Sequence, residues 1–109
     1  MGLNLATWNI NSIRLRSDLV CKVLKNEGID LLCLQECKSP VDKIPLEVFS
    51  EIGFPHMVAC GQKGYNGVAI ISKFPLKEKS AIDFAGLGQA RHIAAELENG
   101  ILVHNFYVP

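Results

Sequence analysis

The chain has 109 residues, with eleven basic side chains balancing eleven acidic ones, so its net charge is zero at pH 7. That length suits one small domain, and the neutral balance, with a pI near 6.8, excludes a basic tail or a chain-wide nucleic-acid stripe. A local basic rim is still open to it. Hydrophobic residues make up 49 %, high for a domain that must expose much of its surface, which points to a dimer or to part of a larger body, the second being favoured.

Leu3 to Trp8 reads as a strand and Asn9 to Arg16 as a loop. Ser17 is placed to cap a helix and Asp18 to favour its first turn. Leu19, Val20, Val23 and Leu24 recur at helical spacing, and Gly28 can close the helix. Ile29 to Leu34 is apolar enough for a strand buried on both faces, completing a strand–helix–strand unit of the parallel crossover kind. Pro45 to Ile52 suggests a short helix with Pro45 in its first turn. His56 to Cys60 and Val68 to Ser72 read as strands around a glycine-rich loop, Gly61 to Gly67. Leu76 to Phe84 alternates loosely, and Ala85 to Ala90 forms a loop. Arg91 to Leu97 and Ile101 to Val108 pair across Asn99-Gly100, a strong hairpin signal. This order predicts an α/β fold with a mixed sheet and helices on one face.

The cysteines, Cys21, Cys33, Cys37 and Cys60, include no CxxC pair, so a zinc site is not expected. Cys33 and Cys37, roughly 13 Å apart along a strand at ~3.3 Å per residue, cannot bridge each other. No secretory signal is apparent, and no apolar run approaches ~18 residues. Met1-Gly2 hints at myristoylation, but Ala6 stands where Ser or Thr is needed. Reduced thiols in a cytoplasmic protein, with no membrane partner, are the expectation.

The chemistry points to strand ends. The apolar run before Gln35-Glu36-Cys37-Lys38 delivers Glu36 to the carboxyl end of a buried strand, where open α/β sheets place ligands. Asn9 and Asn11 follow another strand. A carboxylate and amides at adjacent strand ends suit a hard cation such as Mg²⁺. The plainer roles are a solvated carboxylate partnering Lys38, and asparagines that bond local backbone in a turn. The Gly61–Gly67 loop is either a simple turn or a phosphate cradle, with Lys63 and Tyr65 suited to a nucleic-acid backbone and sugar. Tyr107 either packs in the core or reaches the same rim. His56, His92 and His104 lack metal-ligand spacing and are expected to be structural. Neither GxxxxGK[ST] nor G-x-S-x-G occurs.

Four segments in order carry a resemblance. They are Ala6-Thr7-Trp8-Asn9-Ile10-Asn11-Ser12-Ile13-Arg14, then Asp30 through Lys38, then Gly61-Gln62-Lys63-Gly64-Tyr65-Asn66-Gly67-Val68-Ala69-Ile70, and finally Asn105-Phe106-Tyr107-Val108-Pro109. Together they resemble the amino-terminal part of the exodeoxyribonuclease III family of abasic-site endonucleases. The resemblance implies half of a four-layered α/β sandwich, residues 1–109 being the amino-terminal part of a single endonuclease/exonuclease/phosphatase domain. It implies Glu36 as ligand to Mg²⁺ (or Mn²⁺), Asn9 orienting phosphate and metal, Asn11 as an outer ligand, and Tyr107 on the scissile phosphate. DNA contacts map to Arg14, Lys38, Gly64 and Tyr65, beside the Lys63 that the loop's own chemistry offers. The implied activity is cutting double-stranded DNA at abasic sites and trimming 3′ ends in base excision repair.

Ser12 stands where the family usually has glycine, and Cys37 where a small residue such as Thr is common. The family's Asp-x-Asn element and late Asp-His pair, which serve the attacking water and the leaving group, have no counterpart in these 109 residues. The expectation is therefore a fragment lacking the carboxyl-terminal half, inactive alone and poorly soluble through an open apolar face. Two alternatives remain: a superfamily phosphoesterase on a non-DNA substrate, or a non-catalytic DNA-binding or interaction module.

Overall fold

The computed structural model describes residues 2–83 and 86–108. Met1, the strand end expected at Phe84, the loop start at Ala85, and Pro109 of the Tyr107-x-Pro109 motif lie outside the described residues.

Two sheets and two helices make three layers. The first sheet has the order β1-β2-β4-β3, from Leu5–Asn9, Leu31–Gln35, Val68–Ser72 and His56–Cys60 respectively. β1 runs parallel to β2, with Leu5 opposite Leu31 and Asn9 opposite Gln35, while β4 is antiparallel to both β2 and β3. The second sheet, β5-β6-β7, is antiparallel throughout and comprises Leu76–Ser80, His92–Leu97 and Leu102–Phe106. Phe74-Pro75 ends the first sheet's run, because proline withholds a ladder donor.

Helix α1, Ser17–Asn26, covers the crossover. Its cap is Arg16 and not the expected Ser17, and no side chain bonds at that position. The Arg16 carbonyl accepts the Val20 N–H at 3.0 Å, so the helix begins one residue earlier than the cap chemistry suggested. Gly28 follows at φ 64°, a left-handed stop that glycine adopts freely. A 3-10 turn at Val41–Lys43 precedes helix α2, Leu46–Ser50, and Pro45 caps α2 from outside rather than lying in its first turn.

Alternation along the central strands separates two cores. Leu32, Leu34, Ala69 and Ile71 face the helices and meet Val20, Leu24, Phe49 and Phe54. Leu31, Cys33, Val68 and Ile70 face the second sheet and meet Ile93, Ala95, Leu97 and Val103. β2 is thus buried on both faces, as its apolar run predicts. At about 1.5–3 kcal/mol for each large side chain removed from water, these cores hold the layers together. The outer face of the second sheet displays Leu102 and Phe106, each about half exposed. Cys21, Cys33, Cys37 and Cys60 are free thiols, and burial pushes Cys33 up to about 11 and Cys37 to about 12. Among the described residues no helix is long and apolar enough to cross a membrane.

Candidate active site

Two strand ends, one from each sheet, converge. β2 runs out at Gln35, and Glu36 turns left-handed at φ 53°. β7 runs out at Phe106, and Tyr107 follows it. The Tyr107 hydroxyl donates to Glu36 Oε1 at 2.6 Å. That bond raises the phenol above the ordinary 10.0 of tyrosine, reinforced by desolvation and by the Glu36 charge and opposed by Arg91. The Arg91 guanidinium lies 5.7 Å from the centre of the Tyr107 ring, and the Tyr107 N–H donates to the Arg91 carbonyl at 2.8 Å.

The loop after β1 is laced to the loop after β2. The N–H groups of Ile10, Ser12 and Ile13 donate to the carbonyls of Gln35, Glu36 and Cys37 at 2.9–3.0 Å. Ile10 and Ile13 anchor this seam from below, both fully buried. Asn11, Ser12, Glu36 and Lys38 all hold positive φ, at 47°, 87°, 53° and 54°. The left-handed region costs an ordinary L-residue roughly 1–2 kcal/mol, so four such residues in one seam mark stored backbone strain of the kind that collects at functional sites. The φ of Ser12 also accounts for glycine being usual there, and the Ser12 hydroxyl accepts the Leu15 N–H at 3.3 Å.

Asn9 closes the ladder of β1 and is not a loop residue as its polarity suggested; its partner Gln35 fixes it there. Its side chain is exposed. The side chain of Asn11 turns to Lys38, whose ammonium lies 2.5 Å from Asn11 Oδ1. This is a side-chain contact between two loops and not the local backbone bond expected of a turn asparagine. Arg16, and not Arg14, holds the Asn11 carbonyl, at 2.5 Å. Arg14 is exposed on the same loop.

The glycine-rich loop forms the opposite wall. The N–H groups of Cys37 and Lys38 donate to the carbonyls of Gly67 and Asn66 at 3.0 and 2.8 Å. Gln62 pins the loop from within, its Oε1 accepting from Asn66 Nδ2 at 3.0 Å and from the Ala90 N–H at 2.7 Å. Lys63, Gly64 and Tyr65 are left at the exposed tip. Gly64, at φ 85°, has open space where a Cβ would stand.

Several residues of this framework escaped the sequence reading as site residues: Gln35, Gln62, Asn66, Arg91 and Asn105. Asn105 had a usable signal, since it shares the inward face of β7 with Val103, where the alternation asks for an apolar residue. Two of the three histidines, His92 and His104, meet on the second sheet. His92 Nε2 and His104 Nδ1 are 3.1 Å apart, and His92 Nδ1 accepts the Ile82 N–H at 3.0 Å.

The donor set can be tested against the expected cation. Among the described residues no three His, Cys, Asp or Glu side chains converge. One carboxylate with amide and carbonyl oxygens nearby fits a hard ion that keeps most of its waters, as Mg²⁺ does, and not a nitrogen or thiolate cage.

The α/β body has two facing sheets, with a carboxylate and a tyrosine joined where a strand of each runs out. The chain belongs to the endonuclease/exonuclease/phosphatase family, whose model matches residues 6–109. Its similarity is to the exodeoxyribonuclease III and AP endonuclease members. An AP endonuclease from Archaeoglobus fulgidus superposes with a TM-score of 0.88 at 41 % identity, over 99 % of this chain and 42 % of that one. The 3′ phosphatase NExo (D146N) from Neisseria, solved with a product DNA hairpin, gives 0.87 at 36 % identity, over 97 % and 41 %. Exodeoxyribonuclease III of Haemophilus influenzae is 32 % identical over 115 residues, 94 % of this chain and 40 % of that protein. The chain thus spans about two fifths of the length of these relatives.

Proposed function

We propose that these 109 residues are the amino-terminal part of a Mg²⁺-dependent DNA phosphodiesterase that cuts at abasic sites and trims 3′ ends. The observation that carries the reading is the Glu36–Tyr107 hydrogen bond at 2.6 Å, which joins the ends of two strands from different sheets. The names of the similar proteins, two of them DNA-cleaving and one bound to a DNA hairpin, support DNA as the substrate.

In this reading Glu36 holds the cation, with Asn9 beside it orienting a phosphate oxygen. The ion supplies, when bound, stabilisation of negative charge on the phosphoryl oxygens. Tyr107 is a neutral phenol at pH 7, as any tyrosine at its ordinary 10.0 is, and the bond to Glu36 pushes it further up; it acts as a hydrogen-bond donor that fixes the carboxylate and then the phosphate. Arg14, Lys38 and Lys63 meet flanking phosphates, with Gly64 and Tyr65 against the sugar–phosphate backbone, so affinity falls as salt rises. Asn11 serves chiefly to hold Lys38 in place, in keeping with their contact. The remainder of the domain supplies the residues that activate water and stabilise the leaving group.

The test uses the whole protein that carries this chain and a duplex with a stable abasic analogue. Mg²⁺-dependent nicking 5′ to the analogue is expected, with loss of nicking but retained DNA binding in Glu36→Ala. Undiminished nicking by Glu36→Ala at saturating Mg²⁺ removes Glu36 from its role. Competition by soluble phosphate esters but not by DNA moves the substrate to another class.

A further inference from the structure

Asn105 is a carboxamide in a core position. It is 2 % exposed and contacts three strands of the opposite sheet, directly or through one neighbour. Its Nδ2 donates to the Leu34 carbonyl at 2.9 Å and to the Ala69 carbonyl at 2.8 Å, and those two residues are register partners across β2 and β4. Its Oδ1 accepts from Gln35 Nε2 at 2.8 Å, and the same Nε2 donates to Thr7 Oγ1 in β1 at 2.8 Å.

Cohesion alone does not call for this arrangement. A leucine has the same branched heavy-atom outline, though it is larger, and carries no amide to desolvate. Apolar side chains hold two sheets together but let them slide by fractions of an ångström, whereas paired hydrogen bonds fix both distance and direction. The clamp also has a telling register. Asn105 lies two residues before Tyr107, and its acceptor Leu34 lies two residues before Glu36. It therefore sits one alternation step behind both members of the contacting pair.

We propose that Asn105 is a positioning residue, which with Gln35 sets the separation of Glu36 and Tyr107 across the two sheets. This rests on the reading of that pair as the reacting centre. Asn105 touches neither substrate nor metal and acts only by placing the two groups that do.

The test reads the pair directly. Crystal structures of the whole protein and of Asn105→Leu are compared at the Glu36–Tyr107 contact. In the unaltered protein the Tyr107 hydroxyl donates to Glu36 Oε1, and in Asn105→Leu that bond is expected to lengthen or break. With abasic duplex, kcat falls by about tenfold to a hundredfold while KM stays within about twofold, the signature of misplaced groups rather than lost binding. Should Asn105→Leu fail to fold, Gln35→Met removes the amide partner from the rim and is expected to open the same contact. A folded variant in which the Glu36–Tyr107 bond is unchanged overturns the proposal. A displaced pair in a protein that cuts no DNA keeps the positioning role and removes the nuclease reading; normal cutting with an unmoved pair does the reverse.

Discussion

The ammonium of Lys38 lies 2.5 Å from Oδ1 of Asn11, and both residues hold left-handed backbones, at φ 54° and 47°. The contact aims an otherwise flexible cation along the seam between the two loops. Replacing Lys38 with Met is expected to weaken binding to all duplexes alike and to lower the slope of log affinity against log salt by about 0.9, one phosphate contact. Fluorescence anisotropy at a series of KCl concentrations measures this. An unchanged slope assigns Lys38 to loop structure alone.

Tyr107→Phe keeps the ring under Arg91 and removes only the hydroxyl. In the whole protein kcat on abasic duplex is expected to fall about a hundredfold, the usual cost of one preorganised donor, with the dissociation constant within about twofold. Single-turnover rates and binding isotherms separate the two quantities, and a KM effect alone contradicts the assigned role.

Gly67 carries φ 95°, and a Cβ built on it stands 3.3 Å from both Cys37 Cβ and Lys38 N. Gly67→Ala therefore strains its own backbone and presses on the segment holding Glu36. A loss of about 2 kcal/mol is expected, from a left-handed alanine together with the tight contact. Gly64→Ala shares the positive φ but has open space around it, so about 1 kcal/mol is expected. Urea midpoints of the two variants provide the comparison, and equal losses would count against the pressing contact.

Burial, and then the neighbouring His104, hold the His92 imidazole below its ordinary 6.5. As pH falls below about 6.5 the unfolded chain takes up a proton that the folded chain resists. Stability is thus fully present above that value and declines as pH falls through it toward the lowered folded value. The urea midpoint is expected to drop between about pH 7.5 and about pH 5.5, and His104→Gln is expected to remove part of the drop. A difference that His104→Gln leaves untouched would assign the effect to other groups.

Much of the scaffold was legible where side-chain pattern and chain breakers agree. His56–Cys60 and Val68–Ser72 have the bounds their sequence suggests, since glycines close the loop between them and Phe74-Pro75 follows. Glu36 was legible because five apolar residues and a glutamine lead up to it. Properties of pairs were harder to read. Asn9 is a strand residue only because Gln35 lies opposite, and Ser17 lost its cap position to the carbonyl of Arg16. His92 and His104 meet because the hairpin register sets His92 opposite Phe106 and Ala94 opposite His104, making the two imidazoles diagonal neighbours. Asn105 looked like one more polar residue in an alternating strand; its meaning lies in two carbonyls 36 and 71 positions away.

The supports of the two contacting groups are unequal in stiffness. β2, which carries Glu36, is flanked by β1 and β4, whereas β7, which carries Tyr107, pairs with β6 alone among the described residues. Amide hydrogens are accordingly expected to exchange faster along Leu102–Phe106 than along Leu31–Gln35. One member of the contact thus rests on a strand laddered on both sides, and the other on a strand held by a single ladder and by the side chain of Asn105.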